Sequence, residues 1–277
     1  MNEANTVVDL RDRYDVFMID QFGTIHDGVT PYPGALRALR ALRATGAKVV
    51  LLSNSGKRAA HNAIRLTALG IPPDAYDLFV TSGEVFHTLV STHAIPAIRN
   101  ARRAFVVGRG RDDTLLGGLD LVVVQDEPDV VLIAGSEGDS RSLDSYREAL
   151  GGFARAGVPA LCLNPDRTML TPSGPAFGAG RIAEAYGDMG GDVTWIGKPH
   201  PAIYDQAFAA IGALGVGRER SVGVGDSVEH DIAGARAAGI DGWLVRTGIL
   251  DHADDAAVAA ECARVGVQPD GVLRAFG

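Results

Sequence analysis

Apolar runs short enough to be strands alternate with amphipathic segments along almost the whole chain, which predicts an α/β fold on a mostly parallel sheet. Two further observations sharpen this. Three of the runs, Phe17-Met18-Ile19-Asp20, Val49-Val50-Leu51-Leu52-Ser53-Asn54 and Val222-Gly223-Val224-Gly225-Asp226, are apolar through their length and turn polar only at the end. That is the pattern of buried strands in a doubly wound sheet, whose carboxyl ends line a ligand crevice. Between the second and third of these runs lies a block dense in short strands, the mark of an inserted domain.

In order, residues 16–20 read as the first buried strand. Residues 34–45 read as an amphipathic helix, with Ala35, Leu36, Leu39 and Leu42 at helical spacing and Gly46 as its stop. Residues 48–52 are the next strand. Ser55 is placed to cap a helix running through Leu69, ended by Gly70. A strand at 78–81 and a helix at 83–93 follow. Then come four strands, at 104–108, 121–124, 130–134 and 159–164, with a helix at 142–156 among them. This gives an inserted α/β domain over residues 84–177 within a discontinuous core of residues 1–83 and 178–277, joined through exposed linkers near Ser82-Gly83 and at 175–178. The core resumes with a helix at 179–186, a strand at 193–196, a helix at 202–214, a strand at 221–225, a helix at 229–238 and a final strand at 242–246.

The 277 residues suffice for two modest domains, and 46% apolar residues for a sizeable core. A net charge of −8 argues against a general nucleic-acid surface, which needs a basic face. Cys162 and Cys262 are too few and too isolated for a disulfide framework or a zinc site, and read as reduced core residues. The first five residues lack a basic segment leading into an apolar run, and no apolar stretch approaches the ~20 residues of a membrane span. The expectation is a cytoplasmic protein with neither nucleic acid nor membrane as partner.

The polar residues at the strand ends form a set suited to phosphoryl transfer. Asp20, on a buried strand and followed closely by Gly23, is the candidate nucleophile, attacking phosphorus to give an aspartyl-phosphate that water cleaves. Asp226, with Asp231 behind it, is the candidate metal site; Mg²⁺ takes few carboxylates and keeps water and substrate phosphate as its other ligands. Asp231 stands at the start of a helix, close enough along the chain to share the metal site, through a water or by orienting Lys198; a carboxylate there is also favoured by the macrodipole alone. Ser53 and Asn54, before a helix, suit a phosphate oxygen. Lys198, between Gly197 and Pro199, would offset negative charge in the transition state. Gly108-Arg109-Gly110 and Gly223-Val224-Gly225 do not make a dinucleotide fingerprint, since neither has the full spacing with an acid downstream.

In order and spacing, Asp20 to Thr24, Val49 to Ser55, Gly197-Lys198-Pro199 and Val222 to Asp226 with Asp231 resemble the four motifs of the haloacid dehalogenase superfamily. Asn164-Pro165-Asp166-Arg167-Thr168, Gly178-Ala179-Gly180 and Gly197-Lys198-Pro199-His200-Pro201 resemble its class IIA phosphatase-like branch. The resemblance runs from about Asp15 to about Gly248. It implies a Rossmann-like core with an inserted α/β cap that selects substrate and excludes water. It also implies a first metal shell of Asp20, the Phe22 backbone carbonyl and Asp226. Asn164, Asp166 and Arg167 would form the cap's substrate-facing loop, although Asn-Pro-Asp is also an ordinary turn signal. His200, His26 and Asp27 become candidate rim residues, and a homodimer through the cap is implied.

The implied activity is Mg²⁺-dependent hydrolysis of a small phosphomonoester: a sugar phosphate, pyridoxal phosphate, phosphoglycolate or a nucleotide, with aryl phosphates as artificial substrates. One position departs from the pattern. Most phosphatases of the superfamily carry an acid–base aspartate two residues after the nucleophile, and here that residue is Phe22. His26 or Asp27 would then have to substitute. The alternative is a catalytically weak protein that binds a phospho-ligand.

Overall fold

The computed structural model describes residues 2–110, 114–171 and 174–277. The first stretch holds β1 (Asn2–Ala4), β2 (Val16–Ile19), α1 (Ala35–Ala44), β3 (Lys48–Ser53), α2 (Ala59–Ala68), β4 (Leu78–Thr81) and α3 (Ser82–Ser91). Next come β5 (Arg103–Val107), β6 (Val122–Val123), β7 (Val130–Ile133), α4 (Leu143–Arg155), β8 (Ala160–Cys162), β9 (Thr168–Thr171), β10 (Gly174–Phe177), α5 (Ala179–Asp188) and β11 (Val193–Trp195). The chain closes with α6 (Pro201–Ala213), β12 (Ser221–Gly225), α7 (Ala233–Ala237), β13 (Asp241–Val245), α8 (Asp255–Val265) and β14 (Gly271–Leu273).

Two compact units result: Met1–Ser53, Ala60–Val80 and Lys198–Gly277 form the first, and Asn54–Ala59 with Thr81–Gly197 the second. The first is built on a seven-stranded sheet of order β1-β14-β13-β12-β2-β3-β4. Its β1–β14, β14–β13, β13–β12, β12–β2 and β2–β3 pairings are parallel. The sheet is apolar on both faces, as the uninterrupted runs predict. In β13, Trp243 and Val245 join Phe17, Ile19 and Leu39 in one core cluster, while Leu244 between them joins Val228, Ile232, Val258 and Cys262 in another. The period of two along a strand therefore feeds two cores, which is the doubly wound arrangement.

The second unit carries its own sheet, order β11-β8-β7-β5-β6, parallel throughout, and the antiparallel β9–β10 pair. Its extent differs from the expected 84–177. α5 and β11, expected in the core, belong here: β11 pairs with β8 in the register Val193↔Ala160, and Ile182, Ala183 and Tyr186 of α5 pack with Val131, Ile133 and Tyr146. The segment Asn54–Ala59 also belongs here. Thr81 Oγ1 donates to the Lys57 carbonyl at 2.8 Å, and the Glu84 carboxylate accepts from Arg58 Nε at 2.8 Å and from the Ala59 amide at 3.2 Å.

The expected linkers are not loose joints. Ser82 is buried, Gly83 packs against the Gly56 carbonyl, and Pro175–Phe177 are part of β10. Ser55 does not cap a helix; its Oγ accepts from the Lys57 amide at 3.3 Å, and α2 begins only at Ala59. The strand at 242–246 is not the last, because α8 and β14 follow it.

Candidate active site

In the first unit, Asp20, Ser53 and Asp226 stand side by side because β2, β3 and β12 do. Ile19 pairs with Leu51 and with Val224, and the Asp20 amide donates to the Val224 carbonyl at 2.9 Å. Ser53 is therefore the last residue of its strand, and Asp20 and Asp226 are the first beyond theirs, at the same end of the sheet.

Asp226 is 4% exposed and sits in a cradle of backbone. A Cβ added to Gly23 or Gly248 would fall 2.1 Å or 2.0 Å from Asp226 Oδ2, so only glycine admits the carboxylate there. Both glycines have positive φ, +85° and +59°. The Ile249 amide donates to the same oxygen at 2.8 Å. The glycines of the run before Asp226 are also packing devices. A Cβ on Gly223 would meet that of Ala235 in α7 at 2.8 Å, and one on Gly225 would meet the Asp231 carboxyl at 2.1 Å.

Asp231 lies on a single π-helical turn, Val228–Ile232, where an α-helix was expected; α7 starts only after it. Its two oxygens are used differently: Oδ1 accepts from Lys198 Nζ at 2.7 Å and Oδ2 from the Ser227 amide at 3.0 Å. Lys198 Nζ also donates to Asp20 Oδ1 at 2.5 Å. Lys198 Nζ is thus held between the Asp20 and Asp231 carboxylates.

Burial alone would push the Lys198 ammonium down, but the Asp20 and Asp231 carboxylates outweigh it and hold the lysine well above its ordinary value. Asp226 moves up, first through burial and then through repulsion from Asp20 and Asp231. Ligand oxygens of Asp20, Asp226 and Asp231 all lie within 4.8 Å of one another. Three buried carboxylates against one ammonium leave negative charge uncompensated, and the donors are all hard oxygens. The residues present therefore fit a small divalent cation held by Asp20 and Asp226.

The remaining expected residues sort into two groups. Ser53, 4% exposed, accepts from Gln21 Nε2 at 2.5 Å in the first unit. Asn54, Asn164 and Asp166 come together in the second unit. Asn54 Nδ2 donates to Asp166 Oδ1 at 2.8 Å, and the Asp166 amide donates to Asn164 Oδ1 at 3.1 Å. Arg167 pairs with Glu184 at 2.9 Å. The Asn-Pro-Asp loop explains the small residues after it, since a Cβ on Gly180 or Gly178 would meet the Pro165 or Asp166 carbonyl oxygen at 2.1 Å.

His26 and Asp27 are both committed to the turn after Phe22. Asp27 Oδ1 accepts from the Val29 and Thr30 amides at 2.8 Å and 2.7 Å, and these bonds, Thr30's first, hold its carboxyl below the usual range. His26 is fully buried; its Nδ1 accepts from the Gly28 amide at 2.9 Å. Burial, then the Arg65 charge, pushes it down to about 4. Its ring meets Phe22 edge-on, and the Phe22 ring closes on Gly28, where a Cβ would lie 2.7 Å away. His200 is half-buried at the start of α6 without capping it, and burial pushes its imidazole down.

Two contributors were missed at the sequence level: Gln21 and Tyr204. Tyr204, in α6, is buried close enough to Lys198, Asp231 and Asp20 that burial and the two carboxylates raise its phenol. In an Ala-rich helix such a tyrosine reads as packing. Gln21 carried a signal: an amide directly after the candidate nucleophile, in an otherwise apolar run.

The sequence model of the haloacid dehalogenase-like hydrolases matches residues 17–121, and a HAD-hydrolase-like model matches residues 195–274. D-glycerol 3-phosphate phosphatase of Mycobacterium tuberculosis is 30% identical over 259 residues, spanning 92% of this chain and 69% of that protein. A crystal structure of the glycerol phosphate phosphatase of the same organism in complex with magnesium has a TM-score of 0.67 at 28% identity, covering 87% of this chain and 70% of that one. A haloacid dehalogenase-like hydrolase of Brucella suis 1330 gives a TM-score of 0.85 at 29% identity over 99% of this chain and all of that one. The 4-nitrophenylphosphatase of Thermotoga maritima gives 0.73 at 25% identity over 96% of both chains.

Proposed function

The chain belongs to the haloacid dehalogenase-like hydrolases, in their class IIA phosphatase-like branch, and from that premise we propose that it hydrolyses a small phosphomonoester with Mg²⁺ through an aspartyl-phosphate on Asp20. The observation that carries the reading is the buried group of Asp20, Asp226, Asp231 and Lys198 at the carboxyl end of one sheet. Burying charges is costly, and a structural role alone gives no reason to bury three carboxylates against one ammonium.

The chemistry has two displacements. An Asp20 carboxylate oxygen attacks phosphorus; the P–O bond to the alcohol breaks and its electron pair leaves with the alcohol oxygen. Water then attacks the same phosphorus and gives up a proton, which balances the one the departed alcohol oxygen takes up; the P–O bond to Asp20 breaks, and inorganic phosphate and the free carboxylate result. Lys198, held by Asp20 and Asp231, offsets negative charge on the transferring group. The Ser53 hydroxyl donates to a phosphoryl oxygen. Asp20, Asp226 and the Phe22 backbone carbonyl would hold the cation. When bound, Mg²⁺ supplies charge neutralisation and alignment for the phosphoryl group. Asn54, Asn164 and Asp166 are proposed as substrate-side residues of the second unit. Sugar and glycerol-type phosphates are the first substrates to try, because relatives bear those names.

The test is a screen of phosphate esters with Mg²⁺ and with EDTA. We expect turnover that EDTA abolishes, and a much weaker Mg²⁺ affinity for Asp226→Ala by calorimetry. Failure of every ester in the presence of Mg²⁺ would leave the phospho-ligand-binding alternative standing. Unchanged Mg²⁺ affinity in Asp226→Ala would remove that residue from the metal site.

A further inference from the structure

The residue directly after the candidate nucleophile is an amide buried in a place where nothing of the strand pattern asks for one. Gln21 is 2% exposed. Continuing the Ile19↔Leu51 pairing by two residues sets it abreast of Ser53, and its Nε2 donates to Ser53 Oγ at 2.5 Å. On its other side, Arg65 of α2 donates from a guanidinium nitrogen to Gln21 Oε1 at 3.1 Å.

This chain of contacts has a direction that chemistry fixes. A guanidinium only donates, so the Gln21 atom facing Arg65 must be the carbonyl oxygen, and the atom facing Ser53 must be the NH₂ group. Ser53 Oγ is therefore the acceptor of that bond, and its own proton points away from Gln21. His26 reinforces the orientation. Its Nδ1 accepts from the Gly28 amide, which puts the ring proton on Nε2, 3.5 Å from the same Gln21 oxygen.

A serine hydroxyl is a rotor with one proton and two lone pairs, and a phosphoryl oxygen offers only lone pairs. A rotor that presents a lone pair to phosphate repels it; one that presents its proton binds it. We propose that Gln21 is a positioning residue which, oriented by Arg65, sets the Ser53 hydroxyl as a hydrogen-bond donor to the phosphoryl group. The inference rests on the phosphatase reading above. It adds to it the pair that decides the polarity of the Ser53 contact before substrate arrives, which is preorganisation in the sense that matters for catalysis.

The reading separates from a merely structural role by coupling. Gln21→Met keeps length and volume and removes the donor. Gln21→Glu replaces it by a carboxylate, which attracts the Ser53 proton and reverses the bond. We expect kcat/KM for an aryl phosphate to fall about ten-fold in Gln21→Met, the scale of one misdirected hydrogen bond, and further in Gln21→Glu. Ser53→Ala should lose about 10²–10³-fold, as when one oxyanion donor is removed. In the Ser53→Ala background, Gln21→Met should add no more than about two-fold, because its effect passes through the missing hydroxyl.

Arg65→Met, which touches Ser53 only through Gln21, is the second variant and should show the same dependence on Ser53. Multiplication of the Gln21→Met and Ser53→Ala losses, or wild-type kcat/KM in Gln21→Met and Arg65→Met, would overturn the inference while leaving the phosphatase reading intact. A wild-type protein that hydrolyses no phosphate ester would overturn both.

Discussion

The molecule contains two mostly parallel sheets flanked by helices, and their central strands end differently. In the seven-stranded sheet, β2, β3 and β12 run out into Asp20, Ser53 and Asp226. In the five-stranded sheet, β5 and β7 run out into Gly108 and Ala134-Gly135-Ser136, and β8 into Leu163-Asn164. The end of β7 serves the packing of chain on chain. A Cβ on Gly56 would meet the Ala134 carbonyl oxygen at 2.3 Å, and Ser136 Oγ is spent on the Phe177 carbonyl at 2.9 Å. Among the described residues, the buried aspartate, lysine and histidine side chains, Asp20, His26, Lys198, Asp226 and Asp231, all belong to the first unit, while Asn54, Thr81, Ser82 and Ser136, buried in the second, are uncharged. The two sheets share an architecture, and what distinguishes these strands is the residue at their ends.

Asp20 separates the two sheets most clearly. Asp20→Asn keeps the shape of the side chain and an oxygen for Lys198, yet an amide does not form the acyl-phosphate. We expect turnover to fall by about 10⁴-fold or more, the scale of removing a covalent nucleophile, with the fold intact by circular dichroism. Full turnover by this variant would rule out covalent catalysis through Asp20 and reduce the strand-end aspartate to a neighbour of Lys198.

The next effect concerns Phe22, which stands where most phosphatases of the superfamily place a general acid. General acid–base catalysis is typically worth about 10²–10⁴-fold, or about 3–5 kcal/mol of barrier. Neither local substitute is well placed: the Asp27 carboxylate caps a turn and is held ionised, and His26 is buried with Nδ1 bonded to Gly28. The hypothesis is a rate that depends steeply on leaving-group acidity, aryl phosphates leaving far faster than alkyl ones. Single-turnover rates across a series of leaving groups measure this. Similar alkyl and aryl rates would mean that a proton donor is already present, and Asp27→Asn and His26→Ala would then identify or exclude these two. Phe22→Asp should flatten the dependence.

The contrast between the sheets also explains what the sequence made legible. A strand buried on both faces and ending in a charge writes itself as an apolar run with an abrupt polar stop, so β2, β3 and β12 and their terminal residues were found within about a residue. Three kinds of feature left no such mark. β11 was visible as a strand but assigned to the wrong sheet, because periodicity says that a strand exists and not which neighbour it pairs with. β1 is three residues with an exposed Asn2 and Glu3, and α8 buries only Val258 and Cys262, so neither shows a clear apolar stripe. Gln21 stands out as an amide after the candidate nucleophile, but the contacts that define its place, with Ser53 and Arg65, lie 32 and 44 residues away and leave no local pattern.

Within the second unit, a single helix isolates the effect of close packing. α5 contains Gly180 near its start and Gly187 near its end, and neither has a positive φ. A Cβ on Gly180 would lie 2.1 Å from the Pro165 carbonyl oxygen, whereas one on Gly187 would meet nothing within 4 Å. The two alanine substitutions are chemically identical and gain the same relief of backbone entropy, so contact alone separates them. Gly180→Ala must push the Asn-Pro-Asp loop aside and should cost about 1–3 kcal/mol, as overpacking does. Gly187→Ala should stabilise by about 0.5–1 kcal/mol, the helix advantage of alanine over glycine. Denaturant midpoints of the two variants against wild type measure both. Equal shifts of the same sign would show that the loop yields freely to a methyl group, and that the glycines before and within α5 are not required by close approach.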